Sequence, residues 1–231
     1  MATHTAASAS KKNCLLVVSS APQGVSSQSF VQTYTILHQA QLQIQLASPG
    51  GADSELVNQD DATRKWIADF KSKSYSHPIA LESVDASRYS AVVIPHAPGA
   101  IFDLAKHKSM AEILSSFIKE DKLICAIGQG CAALCSARSA QQAWQFKNRC
   151  ITSMSVYELA RQEDFSSMPL IVEDFAKDNG AIHSVAAADG LHVCIDGNII
   201  TGQNEYSTLT AVQNLVLLVN QTRSRGAVNS R

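Results

Sequence analysis

The sequence predicts a three-layer α/β domain built on a mostly parallel sheet. Three observations carry this expectation. Short apolar runs of strand length recur along the chain, at Cys14–Val18, Ala91–Pro95 and Leu123–Ile127. Segments with helical spacing of apolar residues separate them. The runs are apolar throughout rather than alternating, as expected of parallel strands covered on both faces. The chain has 231 residues, 45 % of them hydrophobic and 17 % charged, which suits one folded domain and excludes a disordered chain.

The first run, Cys14–Ser19, reads as a strand. Ser26 or Ser27 can cap the helix that follows, which carries Phe30, Tyr34, Leu37 and Ala40. Leu42–Ala47 (LQIQLA) alternates apolar and polar residues, so it predicts a strand exposed on one face and near a sheet edge. SPGG then breaks the chain. Ala62–Phe70 predicts a helix with Trp66 and Phe70 one turn apart, and Ala91–Pro95 a buried strand. Met110–Lys119 predicts an amphipathic helix, with Ile113, Leu114, Phe117 and Ile118 on one side. Leu123–Ile127 (LICAI) is a further strand, GQG a turn, and the alanine-rich stretch from Cys131 a helix. Pro169 can open a helix and Gly180 close it. Asp196-Gly197, between His192–Ile195 and Ile199–Thr201, predicts a hairpin, and Thr208–Val219 a closing helix.

The net charge of −1 offers no basic surplus for a phosphate backbone, so no direct nucleic-acid binding is expected. No apolar run approaches the roughly 20 residues of a membrane-spanning helix, so no membrane insertion is expected. Residues 1–12 lack the apolar stretch of a secretory signal and are read as a flexible tail on an intracellular chain. Residues 13–220 form the single domain, and the arginine-bearing residues 221–231 a second flexible tail. The six cysteines contain no CxxC pair and are expected to be free thiols, with no metal site and no cofactor.

In an open α/β sheet, chemistry gathers beyond the carboxyl ends of the strands. The strand–turn–helix context of AIGQGCAAL (Ala126–Leu134) is that of a nucleophile elbow. Its tip is Gly128 or Gln129, neither of which carries a nucleophile.

Four stretches make the resemblance specific: LASPGG (Leu46–Gly51), VDASRYSAVVIPHAPGAIFDL (Val84–Leu104), LICAIGQGCAAL (Leu123–Leu134), and VEDFAKDNGAI with DGNIITGQN (Val172–Ile182, Asp196–Asn204). In them the chain resembles the ThiJ/PfpI superfamily, the class I glutamine amidotransferase-like proteins, and within it the glyoxalase III and chaperone branch. The resemblance implies a flavodoxin-like three-layer sandwich. Active relatives read A-V-C-H-G-P-A-A-L at the elbow. Laid on this chain, their nucleophilic cysteine falls on Gly128, its histidine neighbour on Gln129 and the proline on Cys131. Their acidic partner on the first helix falls on Gln28 or Ser29, and their P-G-G-H-G strand-end motif becomes Pro95, His96, Ala97, Pro98 and Gly99.

The expectation is therefore a pseudoenzyme: no catalytic residues, and a degenerate site made of Gly128, Gln129, Gln28 and His96. For the relatives it most resembles, the resemblance further implies a homo-oligomeric scaffold, dimer or tetramer. Such a scaffold serves as a subunit of a Rab-GTPase effector complex, peripheral on early endosomes, that links messenger RNA and ribosomes to those endosomes. The alternative is a Cys131-dependent hydrolase or glyoxalase-like enzyme. Cys131 would lie in the first turn of the elbow helix, where the helix dipole can lower a thiol pKa and His96 could reach it. A third possibility is a sensor that keeps the old pocket for ligand binding. Glu173 and Asp174 are expected on a solvated helix surface, His183 and His192 as structural histidines, and Gln203 and Asn204 in turn-forming hydrogen bonds.

Overall fold

The computed structural model describes residues 12–228, with side chains described through Gln221. The expected tail at residues 1–12 therefore falls, except for Lys12, outside the described residues. In chain order the elements are β1 (Asn13–Val17), β2 (Val25–Ser26), α1 (Ser27–Gln39), β3 (Gln43–Ser48), β4 (Leu56–Val57), α2 (Asp61–Lys71), β5 (Ile79–Ala80), β6 (Ala91–Ile94), α3 (Ala100–Asp103), α4 (Lys108–Lys119), β7 (Leu123–Ile127), β8 (Cys150–Ile151), α5 (Val156–Leu159), α6 (Val172–Asp178), β9 (Ile182–His183), β10 (Val193–Asp196), β11 (Ile199–Gly202) and α7 (Thr208–Val228).

Seven strands form one sheet in the order β10-β11-β7-β6-β1-β3-β5. All its pairings are parallel except β10 with β11. This is the mostly parallel, helix-flanked sheet of a flavodoxin-like sandwich. β1, β6 and β7 sit in the middle and are buried almost throughout, which explains their unbroken apolar sequences. The chain leaves β1 toward β3 and β5 on one side, then returns through β6 to build the other. The direction of chain travel switches between β1 and β6, and open α/β sheets place their sites at the strand carboxyl ends beside such a switch.

Local chemistry sets most element ends. Ser26 caps α1, accepting from the Ser29 amide at 3.0 Å. Asp60 and Thr63 form a reciprocal capping box at the start of α2. On these two helices Phe30, Tyr34, Trp66 and Phe70 pack as one aromatic group, with Trp66 and Phe70 stacked at 5.2 Å. The hairpin forms as expected, with its first strand shifted by one residue to Val193–Asp196 and its second one residue longer, to Gly202, and with Gly197 at φ 61° in its turn.

Four expectations are corrected. The alanine-rich stretch after LICAI is a nine-residue 3₁₀ segment, Gly128–Ser136, rather than an α-helix. It is buried along almost its whole length, so tertiary packing overrides the helical preference of its alanines. α6 starts at Val172, three residues after Pro169, although Gly180 does end it with φ 82°. β3 does not alternate: it is exposed at Gln43 and buried from Leu46 to Ser48. Its burial changes along its length because the two-residue edge strand β5 covers only Ala47 and Ser48. Finally, α7 continues past Val219 to Val228, into the segment expected to be a tail.

Candidate active site at the strand β7 elbow

The site grows from the ends of β6 and β7. Beyond β7, Gly128 adopts φ 54°, a left-handed conformation that an L side chain enters only at a cost. Beyond β6, His96 is 9 % exposed and turns its ring toward this glycine. A Cβ built at Gly128 would overlap His96 Nδ1 and lie 3.0 Å from His96 Cγ. The imidazole thus fills the space into which a side chain at the elbow tip would point.

Hydrogen bonds hold the ring and its backbone. The Gln129 amide donates to His96 Nδ1 at 3.1 Å, so the neutral ring carries its proton on Nε2. The His96 amide donates to Ser29 Oγ at 3.0 Å, and its carbonyl accepts from the Ser26 amide at 2.9 Å. Ser29 Oγ also meets Thr208 Oγ1 at 2.9 Å. Burial pushes the His96 pKa down, against the opposing charges of Glu205 and Glu158. Glu205 is held by a hydrogen bond from Ser26 Oγ.

His96, Gly128 and Gln129 therefore meet at one point. Gln28 is half-buried on the first turn of α1, and its neighbour Ser29 makes the contact to His96. The depression at the elbow is lined by Ile101, Gly128, Gln129, Met154, Leu159 and Val172, and no space for a water molecule remains in it. The depression is therefore closed by a mostly apolar wall, with the His96 ring filling the space beside Gly128.

Cys131 departs from the activated thiol of the alternative reading. It is fully buried, and its Sγ donates to the Thr152 carbonyl at 3.3 Å. Burial pushes its pKa well up, reinforced by Cys125, Cys135 and Cys194. A backbone hydrogen bond at Cys131 acts the other way, but burial outweighs it. Cys135 is also buried, its thiol pushed up to about 12 by desolvation.

Two carboxylates matter here that the residue pattern did not single out. Glu158, 1 % exposed on α5, accepts five hydrogen bonds: from the Ser155 amide and hydroxyl, the Asp189 amide, Gln203 Nε2 and Asn204 Nδ2. Burial acts to raise its pKa, but the bonds from Asn204 and Ser155 outweigh it and the net shift is down. Gln203 and Asn204, expected to form a turn, chiefly tie this carboxylate to the loop carbonyls of Ala187 and Gly190. Glu205 follows them directly in sequence, and that adjacency was the available signal. Glu173 is corrected as well. It is 8 % exposed rather than solvated, accepts from the Val156 amide at 2.7 Å and pairs with Lys177 at 2.6 Å, while Asp174 stays on the exposed face. His183 bonds Ser153 Oγ at 2.9 Å, and His192 bonds Ser184 Oγ at 3.0 Å. Among the described residues, no group of three His, Cys, Asp or Glu side chains could hold a metal ion, and no helix is long and apolar enough to cross a membrane. All six cysteines are free.

Residues 15–216 match the model of the DJ-1/PfpI family. The chain belongs to the DJ-1/PfpI family. Within it, the protein is 48 % identical over 210 residues to glutamine amidotransferase-like class 1 domain-containing protein 1 of Xenopus laevis, covering 91 % of each chain. It is 46 % identical to the human protein of the same name, covering 89 % of this chain and 93 % of that one. Solved structures of DJ-1/PfpI type share the fold at low identity. The 24 kDa rapid encystment protein of Francisella tularensis superposes with a TM-score of 0.81 at 22 % identity, covering 89 % of this chain and 98 % of that one. Glyoxalase III of Candida albicans superposes with a TM-score of 0.79 at 18 % identity, covering 89 % and 96 %.

Proposed function

We propose that this DJ-1/PfpI-family chain is a pseudoenzyme, a catalytic fold retained as a scaffold for protein partners. The observation that carries the reading is the overlap a side chain at Gly128 would make with His96. The elbow tip has no nucleophile, and the space for one holds a buried imidazole whose Nδ1 is occupied by the Gln129 amide. Loss of a nucleophile alone costs such sites on the order of 10⁶ in rate. The motif resemblance supports the finer reading: a homo-oligomeric subunit of a Rab-GTPase effector complex, peripheral on early endosomes, that links messenger RNA and ribosomes to them. Recruitment there runs through protein partners rather than a membrane-inserted segment.

The test has two arms. Turnover of methylglyoxal and of generic ester and amide substrates is measured for the purified protein and for Cys131→Ala. No turnover by either protein is expected, and activity lost with Cys131 would replace this reading by a Cys131-dependent enzyme. Separately, the tagged chain should co-fractionate with early endosomes and retain its partner subunits through affinity purification. A chain found free of both would remove the endosomal assignment.

A further inference from the structure

A pair of thiols lies away from the elbow, where β8 meets β10. Cys150 Sγ donates to Cys194 Sγ at 3.8 Å across 44 residues of sequence. The surrounding backbone fixes this approach. The Cys150 amide donates to Asp196 Oδ2 at 2.9 Å, and Arg149 pairs with Asp196 Oδ1 at 3.2 Å. Two residues on, the Thr152 amide donates to Thr201 Oγ1 at 2.8 Å, tying the end of β8 to β11. Cys150 is half-exposed, whereas Cys194 is 7 % exposed. His192 Nε2 lies 3.6 Å from Cys194 Sγ and 3.0 Å from Ser184 Oγ, so the thiol and the hydroxyl share one ring nitrogen. A disulfide has an S–S length of about 2.04 Å, so the 3.8 Å separation must close by roughly 1.8 Å, a movement two side-chain rotations can share.

We infer that Cys150 and Cys194 form a reversible intramolecular disulfide when the protein meets a hydroperoxide. In the first step Cys150 sulfur attacks the terminal peroxide oxygen. An S–O bond forms, the O–O bond breaks, and the leaving alkoxide or hydroxide takes up the Cys150 proton. In the second step Cys194 sulfur attacks the sulfenic sulfur of Cys150. The S–S bond forms, the S–O bond breaks, and hydroxide leaves as water with the Cys194 proton. Two thiols are oxidised by two electrons, and one hydroperoxide is reduced to an alcohol, or to water, plus water. The half-exposed sulfur meets the oxidant and the buried one resolves it. Burial pushes the Cys194 thiol up to about 11, which slows its attack, so the fixed proximity to Cys150 carries the resolving step.

The experiment exposes the full chain to hydrogen peroxide, alkylates remaining thiols and maps peptides without reduction. The expected product links the Cys150 and Cys194 peptides, removes two thiols per chain and is reversed by dithiothreitol. Its yield should fall at least about tenfold when the exposure is made in urea, because unfolding removes the fixed proximity. In Cys194→Ser the link is absent and dimedone traps a sulfenic acid on Cys150. In Cys150→Ser, Cys194 stays alkylatable. The inference is overturned if both wild-type thiols remain alkylatable, if Cys150 proceeds to sulfinic acid while Cys194 stays a thiol, or if the link forms equally well in urea.

Discussion

Gly128 and His96 exclude one another: the imidazole stands where any side chain at the elbow tip would go, and its Nδ1 accepts the amide of the next residue, Gln129. A single substitution at Gly128 therefore cannot restore the elbow of the active relatives. It would add a left-handed φ to a side chain and drive that side chain into a buried ring.

Gly128→Cys is expected to destabilise the fold by about 2–4 kcal/mol, combining left-handed strain with overpacking. In the double variant with His96→Ala, the ring that obstructs the new side chain is gone. The combined cost in urea unfolding should be less than the sum of the single costs. Simple additivity of the two would show that the contact does not limit the site.

Burial lowers the folded pKa of His96, and it does the same at His183. For each, the unfolded chain binds more protons in the window between the folded pKa and the ordinary value near 6.5. Stability is then full above that ordinary value and declines as pH falls through the window, by up to about 1.4 kcal/mol per pH unit for each group. Denaturant midpoints between pH 7.5 and 5 should show this slope, reduced in His96→Asn and in His183→Asn separately.

Thiol reactivity should follow burial. Cys14, Cys125 and Cys131 are fully buried; burial pushes the Cys14 thiol up to about 12 and raises the other two, so all three should resist iodoacetamide in the folded protein. Cys150, half-exposed, should be alkylated first. Mass mapping after brief labelling checks the order, and early labelling of Cys131 would revive a Cys131-dependent enzyme.

Glu158 joins α5, the 186–190 loop and the Gln203-Asn204 corner through its two oxygens. Glu158→Ala leaves several buried donors unpaired, and a loss of about 2–4 kcal/mol is expected. Because its folded pKa is depressed, the wild-type carboxylate stabilises fully above the ordinary glutamate value, and that contribution is lost as pH falls through the folded pKa. Thermal melts between pH 5 and 3 should show the loss in wild type and a smaller one in Glu158→Ala.

Much of the fold was legible from local pattern. The continuous apolar runs at β1, β6 and β7 announce strands covered on both faces, since only a parallel sheet between helix layers buries both sides of a strand. Ser26 and Gly197 mark a helix start and a hairpin turn because their backbone chemistry acts over a few residues. The changed elbow was equally plain, since a glycine at the tip is read directly from the chain.

What the sequence determined by itself was the order and type of the main elements, the family resemblance, and the absence of a nucleophile at Gly128. These depend on neighbours in the chain. Tertiary structure alone decided the rest: the 3₁₀ form of Gly128–Ser136, the burial of Glu173, the carboxylate hub at Glu158, and the close approach of Cys150 to Cys194. It also decided that His96 plugs the elbow, 32 positions before the glycine it faces. Such contacts join residues far apart in sequence, and their energies come from packing and desolvation, which no local spacing encodes.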